Sequence, residues 1–152
     1  MDARRVGGMN RFRGRRELRV RINRISQNTR RHVGRAMARG GVAIQTTAID
    51  SIISGPATGN VYPSRANPSR DHQASAPGEA PAADTGDLHG AVTTVPISDV
   101  RFEVEANAAH AAPLELGTEN MEPRPFMVPA FNQNREPIIR EVRRAIRRGS
   151  RE

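Results

Sequence analysis

An α+β fold is the architecture that this sequence predicts. Apolar residues recur at three- and four-residue steps in residues 15–54 and again in 137–148, and they alternate with polar residues in 91–106. The first spacing places apolar side chains on one face of a helix, and the second is typical of a half-buried strand. We therefore expect a long N-terminal helix and a C-terminal helix packed on a small antiparallel β-sheet, with a long extended loop.

The N-terminal helix is predicted to begin at Arg15 and to end at Ser54, before a Gly-Pro pair. Its apolar stripe comprises Leu18, Ile22, Ile25, Val33, Ile44, Ile49 and Ile52. Glycine weakens a helix by about 1 kcal/mol relative to alanine, so the pair Gly40-Gly41 predicts a bend. Residues 1–14 are rich in Arg and Gly and are predicted to form a flexible arm that precedes a single domain, 15–152.

The alternating segment predicts a β-hairpin. Residues 91–95 form its first strand, which Pro96 ends; residues 97–99 form the turn, and 100–106 form the second strand. The segment 108–118 predicts either a helical turn or a strand, with Pro113 favouring a break.

Two prolines mark the start of the last helix. It is predicted to begin near Pro129 or at Pro137, because proline suits the first turn of a helix.

Residues 55–87 are predicted to form a long loop. The segment is rich in Pro, Gly, Ser and Ala, and Val61 and Tyr62 are its only large apolar residues. A loop of this length in a small domain is usually functional or disordered. We expect it to be mobile in an isolated subunit and ordered against a partner.

The composition limits the possible functions. Only 36% of the 152 residues are apolar and 3% aromatic, so we expect part of the chain to order against a partner. The absence of cysteine excludes disulfides and thiolate chemistry. No apolar run approaches the length of a membrane span and no secretion signal is evident, so we expect a soluble protein made inside the cell.

Charge is segregated along the chain. The net charge is +8, and every basic residue other than histidine is arginine. Residues 1–39 contain 13 arginines and two acids, 40–134 contain four arginines and eleven acids, and 135–152 contain seven arginines and three acids. Basic ends suggest contact with nucleic acid, and basic and acidic regions on one chain suggest copies that dock on each other.

An arginine-rich face lies on the predicted N-terminal helix. Arg24, Arg31, Arg35 and Arg39 recur at helical spacing with Asn28. The face either is simply solvated or meets phosphates or acidic neighbours.

The triplet Asp84-Thr85-Gly86 is the one that carries the catalytic aspartate of aspartic proteases. In those enzymes the aspartate is held rigidly beside a twin carboxylate. Here residues 77–83 form a Pro- and Ala-rich loop where a protease requires an apolar strand. The triplet therefore predicts a turn, in which Asp84 or Thr85 acts as a cap and Gly86 supplies a free backbone angle.

No other group of residues predicts catalysis. The four histidines lack metal-ligand spacing, the serines lack a nucleophile elbow, and the chain lacks the lysine of a phosphate-binding loop. We therefore expect no catalytic residue, cofactor or metal, and a protein that is not an enzyme.

Three segments together resemble a known family. They are SAPGEAPAADTGDLHGAV (75–92), HAAPLELGT (110–118) and EPRPFMVPAF (122–131). Their order and spacing are similar to those of the gene-10-like morphogenesis, or tail-completion, proteins of long-tailed bacteriophages, prophages and gene transfer agents. The resemblance covers about residues 18–148. The chain departs from the family at Ala111 or Ala112, where an aromatic residue is frequent.

The resemblance implies a structural virion protein of the neck, at the head–tail junction. Such a subunit forms a ring around the DNA channel; a hexamer is favoured and a dodecamer is second. The implied partners are head-closure or adaptor proteins, tail terminator or tail tube proteins, and packaged DNA through non-specific electrostatics, with no membrane. The subunit would reside in the host cytoplasm before assembly.

The resemblance also suggests which residues serve assembly. The candidate interface residues are Asp84, Thr85, Gly86, Glu115, Gly117, Thr118, Arg124, Pro125 and Phe126. Phe126 is expected to be buried against the sheet or a neighbouring subunit. Arg124 is expected to pair with an acid, Glu115 first, or else to be a surface arginine.

The alternative function is an Arg-rich DNA-binding accessory protein for packaging or assembly, which would use Arg24, Arg31, Arg35 and Arg39.

Overall fold

The structure is a computed structural model that describes the backbone of residues 7–151 and the side chains of residues 15–151. Its elements are α1 (Gly7–Ser54), β1 (Val61–Pro63), β2 (Asp71–Gln73), α2 (Asp87–Gly90), β3 (Val92–Ser98), β4 (Arg101–Ala106), α3 (Ala111–Leu116) and α4 (Met127–Gly149). Strands β1 and β2 form one antiparallel pair, and β3 and β4 form another. The predicted α+β class, with long helices at both ends of the chain, is confirmed.

Helix α1 is one continuous helix of 48 residues. It begins at Gly7, so residues 7–14 of the predicted arm are helical; residues 1–6 lie outside the described residues, and the mobility of the arm stays a prediction. The helix continues through Gly40 and Gly41 without interruption. A Cβ atom on Gly41 would lie 2.6 Å from Thr94 Cγ2, so glycine here lets strand β3 approach the helix closely.

The hairpin β3–β4 confirms the predicted change of period. Val92 pairs with Ala106, and Pro96 pairs with Phe102. The prediction that Pro96 ends the first strand is wrong, because β3 continues to Ser98 through an irregularity in register between Pro96 and Ser98. Proline cannot donate to a neighbouring strand, and an edge strand with a bulge tolerates that loss.

The core lies between α1, α2, β3 and the start of α4. Phe126, Ile52 and Val92 are its largest fully buried side chains, and Leu88 of α2 packs with them. Phe126 is 1% exposed, which confirms its predicted burial. Small residues complete this core, namely Ala48, Ala111 and Ala130.

The C-terminal half of the chain contains two helices that include proline. Helix α4 begins at Met127, close to the predicted start at Pro129, and includes Pro137. Within the segment 108–118, residues Ala111–Leu116 form α3, so the first of the two predicted alternatives, a helical turn, is confirmed. Pro113 lies in the first turn of α3, so the predicted break is wrong. A first turn tolerates proline because its N–H groups have no partner within the helix.

The predicted long loop, residues 55–87, contains a short β-hairpin that the sequence did not predict. Strands β1 and β2 pair in this segment, with Val61 opposite Gln73 and Tyr62 opposite His72. Val61 and Tyr62 are both more than half exposed. This hairpin is therefore not stabilised by the burial of large apolar side chains.

Candidate functional site

The carboxylate of Asp84 stabilises the connection between β1 and β2 by accepting hydrogen bonds. Its carboxylate accepts hydrogen bonds from the Ser64 hydroxyl and, at 2.7 Å, from the backbone N–H of Arg65. The bond from Ser64, and next that from Arg65, hold the pKa of Asp84 below its ordinary range. The Ser64 oxygen in turn accepts the N–H groups of Ala66 and Asn67 at 3.1 and 3.2 Å. Asp84 therefore orders residues 64–67.

Thr85 and Gly86 form the turn that leads into α2. Thr85 Oγ1 donates to a carboxylate oxygen of Asp87 at 2.8 Å, and Gly86 has a φ angle of 91°. This left-handed conformation favours glycine, as predicted. The turn places Leu88 in the core, so the triplet joins the polar loop to the packed domain.

Glu79 is a second carboxylate that closes the loop, and the sequence reasoning missed it. It accepts the Thr58 hydroxyl at 2.6 Å and the N–H groups of Thr58 and Ala76 at 3.1 and 2.8 Å. These bonds, the Thr58 hydroxyl first, lower the pKa of Glu79. The only sequence signal was an acid directly after a Pro-Gly turn.

Glu115 caps the start of α4. Its carboxylate accepts three consecutive backbone N–H groups, those of Phe126 at 2.8 Å, Met127 at 2.9 Å and Val128 at 2.9 Å. The first N–H groups of a helix have no partner inside the helix, and a carboxylate there is favoured by the helix dipole. The side chain of Glu115 therefore joins the segment 110–118 to the segment 122–131.

Gly117 and Thr118 turn the chain back toward α4. Gly117 has a φ angle of 77°, and a Cβ on it would lie 2.9 Å from the Met121 carbonyl oxygen. The Thr118 N–H donates to that same oxygen at 2.8 Å. The turn sets the distance between Glu115 and the N–H groups that it caps.

Arg124 does not pair with Glu115, so that prediction is wrong. The carboxylate of Glu115 is occupied by backbone N–H groups, and the Arg124 N–H donates to the Leu114 carbonyl at 2.7 Å. Among the described residues the Arg124 side chain forms no ion pair, and its Nε atom is buried without a hydrogen-bond partner. Pro125 follows it and is partly buried.

A cleft of about 490 Å³ lies beside Arg124. The Asp84-Thr85-Gly86 turn, α2, α3 and the segment before α4 surround it. Its polar lining includes Arg65, Arg124, Asp84, Asp87, His72, His89 and His110. All three segments that resemble the tail-completion family, 75–92, 110–118 and 122–131, thus contribute to the lining of one cleft, which we call the motif cleft.

An exposed apolar patch borders the Glu115 cap. Leu116 follows the capping residue and is 75% exposed, and Val128 and Phe131 lie one turn apart on α4 and are about half exposed. We call these three residues the cap patch. Exposed apolar side chains that form one contiguous patch typically mark an interaction surface.

The predicted arginine-rich face of α1 is divided in the structure. Asn28 is buried, at 8% exposure, because the end of α4 packs close to it: a Cβ on Gly149 would lie 2.3 Å from Thr29 Cα. Arg39 pairs with Glu141 of α4 at 2.5 Å. Arg24, Arg31 and Arg35 are exposed.

A groove lies beside part of this arginine-rich face. Arg31, Arg35 and Arg30 line it together with Phe102 and Asp99 of the hairpin, and its volume is about 730 Å³.

Within residues 15–151, no three His, Asp or Glu side chains are grouped so that they could hold a metal ion. The helices in the described part of the chain are too short or too polar for any of them to cross a bilayer. Comparison with known proteins finds no matching family model, no matching curated protein and no matching solved structure.

Proposed function

We propose that this chain is a structural virion protein of the phage neck, a tail-completion subunit that forms a ring around the DNA channel. The observation that carries the proposal is the exposure of residues 15–24 of α1. All residues from 15 to 24 are exposed, including Leu18 at 58% and Ile22 at 55% on one side of the helix. An apolar helix stripe of this kind is stabilised when another chain covers it.

The cap patch supplies a second, different surface. Leu116, Val128 and Phe131 lie next to the Glu115 cap, which joins two of the motif segments that resemble the tail-completion family. Two unlike apolar surfaces on one chain suit a head-to-tail contact, and head-to-tail contacts close into rings when the rotation permits. In the proposed ring the α1 stripe of one subunit covers the cap patch of the next.

The segregated charges support the same arrangement. The N-terminal 39 residues are strongly basic and residues 40–134 are acidic, so neighbouring copies can place opposite charges against each other. Each exposed pair contributes only about 0–1 kcal/mol, but a ring repeats it at every interface. A hexamer is our first expectation and a dodecamer the second, with head-closure and tail proteins above and below.

Native mass spectrometry of the full chain tests the ring. We expect the mass of a closed ring, and we expect Leu18→Gln with Ile22→Gln to shift it toward the monomer. Val20→Gln is the matched control, because Val20 is equally exposed but lies on the opposite side of the helix. A wild-type chain that stays monomeric, together with a map of intact particles without this chain in the neck, would contradict the proposal.

The groove between α1 and the hairpin favours one alternative, an Arg-rich DNA-binding accessory protein. Arg30, Arg31 and Arg35 could contact phosphates there, beside Phe102. Under this alternative, a gel shift persists at about 150 mM salt and is lost on replacing the three arginines with Gln. Under the ring proposal, binding by the isolated subunit is weak and falls steeply with salt.

A further inference from the structure

One side of α4 is an arginine-rich surface that no other element covers. Its arginines recur at three- and four-residue steps, and at about 100° per residue they occupy an arc of about 140° around the helix. All of them are exposed. We call this surface the α4 arginine face; its members are Arg140, Arg143, Arg144, Arg147 and Arg148.

The charges of the α4 arginine face are almost uncompensated. Among the described residues its one ion pair joins Arg144 to Glu141 at 3.7 Å, and that carboxylate also pairs with Arg39 of α1. Arg140, Arg144 and Arg148 lie four residues apart, and like charges at that spacing destabilise a helix. The helix dipole favours cations only in the last turn, so it accounts for the last two arginines of the face and not for the first three. A partner with repeated negative charges would relieve the repulsion.

The arginines near the start of α1 are arranged differently. Arg15, Arg16, Arg19, Arg21 and Arg24 are also exposed, but they are spread over an arc of about 240° around that helix. Their charge is therefore distributed around α1, whereas α4 directs its arginines to one side. A straight polyanion that lies along one helix can contact more arginines on α4 than on this part of α1.

We propose that the α4 arginine face binds the phosphate backbone of duplex DNA without reading its sequence. Arginine can donate two parallel N–H groups to one phosphate. Residues 140–151 contain no Asn or Gln to read adenine edges and no aromatic residue to stack on unpaired bases. The inference rests on the proposed function for the source of this DNA, and in the proposed ring it directs α4 toward the channel.

An acidic protein surface is a poorer partner for this face. Protein interfaces have an apolar centre from which charged residues are depleted. The apolar side of α4 already packs on α1, because Ala145 and Gly149 are buried and a Cβ on Gly40 would lie 2.9 Å from Ile138 Cγ1. The arginine face itself therefore offers charge and N–H donors, which suit phosphates.

The affinity of the full chain for a labelled DNA duplex of random sequence, measured by fluorescence anisotropy over a series of salt concentrations, tests the inference. Each protein also carries Leu18→Gln and Ile22→Gln, so that single subunits are compared whether or not the unmodified chain forms a ring. The α4 triple variant combines Arg140→Gln, Arg143→Gln and Arg147→Gln, and glutamine keeps nearly the helix propensity of arginine. We expect at least about tenfold weaker binding at low salt, and a slope of log affinity against log salt that is smaller by about three.

Two further triple variants remove the same charge elsewhere. Arg65, Arg70 and Arg101 are exposed arginines outside both long helices, and their replacement by Gln is the control, which should change the slope by less than about one. The other variant replaces the three arginines of the groove between α1 and the hairpin, and its effect should be smaller than that of the α4 triple variant. A single-stranded oligonucleotide and a glutamate peptide with the same number of charges replace the duplex in two further titrations.

Four results would overturn the inference. They are an absence of duplex binding at low salt, equal effects of the α4 and control variants, a larger effect of the groove variant, and binding of the single strand or the glutamate peptide at least as tight as that of the duplex. A closed ring by native mass spectrometry together with any of these results would overturn this inference and leave the ring intact. A monomeric chain that binds the duplex through α4 would contradict the ring alone.

Discussion

The core beneath α1 and the loop between residues 55 and 86 differ in the interactions that hold them. In the core, Phe126, Ile52 and Val92 exclude water from apolar surface. The loop is stabilised mainly by the carboxylates of Asp84 and Glu79, each of which accepts several hydrogen bonds. Burial of apolar surface does not depend on ionisation, whereas acceptance of hydrogen bonds by a carboxylate does. The two regions should therefore respond to different perturbations.

The largest expected effect is that of Phe126→Ala in the core. Removing a fully buried phenylalanine typically costs about 3–5 kcal/mol of the free energy of unfolding. Chemical denaturation of both proteins measures the loss. Phe131→Ala is the control on the same helix, since Phe131 is half exposed and should cost much less. Equal effects of the two changes would contradict the described core.

Glu115→Ala tests the polar cap at the edge of that core. It removes the acceptor of three N–H groups at the start of α4, and we expect a loss of about 1–3 kcal/mol in the free energy of unfolding. Glu119→Ala is the control, because Glu119 is an exposed acid four residues later. Amide exchange should locate the added opening at residues 126–128; unchanged exchange there would show that Glu115 does not cap the helix.

Asp84→Asn tests the loop and should leave the core intact. We expect faster amide exchange at Arg65 and Asn67 with little change at Val92, because Asp84 and Ser64 order residues 64–67. Asp71→Asn, at an exposed acid of the same hairpin, is the control. Faster exchange throughout the core would show that the two regions are not separable.

The hydrogen bonds to the Asp84 carboxylate predict that the stability of residues 64–67 depends on pH. The pKa of Asp84 is lowered from its ordinary value of 3.8, so the ionised carboxylate stabilises the loop at and above that pH. This contribution is lost as the pH falls through the lowered pKa. In the Asn variant the acid-dependent step in amide exchange at Arg65 and Asn67 should be absent, whereas the wild type should show it.

The smallest expected effect is that of Arg39→Ala on the surface between α1 and α4. The Arg39–Glu141 pair has an N–O distance of 2.5 Å, but the arginine side chain is 61% exposed. Exposed ion pairs contribute about 0–1 kcal/mol. A double-mutant cycle with Glu141→Gln, measured at low and high salt, should give a coupling energy within that range, and a larger value would be unexpected.

The long helices and the β3–β4 hairpin could be predicted because their apolar periods are local properties of the sequence. The burial of Phe126 was expected from its place in the segment EPRPFMVPAF, which carries part of the family resemblance. By contrast, Asn28 is buried although it lies on a polar stripe, because α4, more than a hundred residues later, packs beside it. A contact between two segments that are distant in the sequence produces no periodic spacing of apolar residues around Asn28, so the sequence did not predict it.

The candidate site was predicted only in outline for a related reason. Matching charges suggested Arg124 as the partner of Glu115, but the actual partners are backbone N–H groups, which every residue except proline carries. The hairpin β1–β2 was missed because its strands are three residues long and largely exposed, so they show no apolar alternation. Its mobility in the isolated subunit, and its ordering on assembly, stay predictions.

The unbroken length of α1 gives the subunit a mechanical property. At 1.5 Å per residue, its 48 residues form a rod about 72 Å long, and no proline interrupts it. Gly149 of α4 lies against Thr29, and Leu18 is 11 positions away, or about 16 Å along the rod. A change of tilt of about 10° at Thr29 would therefore displace Leu18 by about 3 Å, which is comparable to the distance over which an apolar contact is made or lost. The helix can thus act as a lever that carries a small rearrangement of the packed domain to the far end of the molecule.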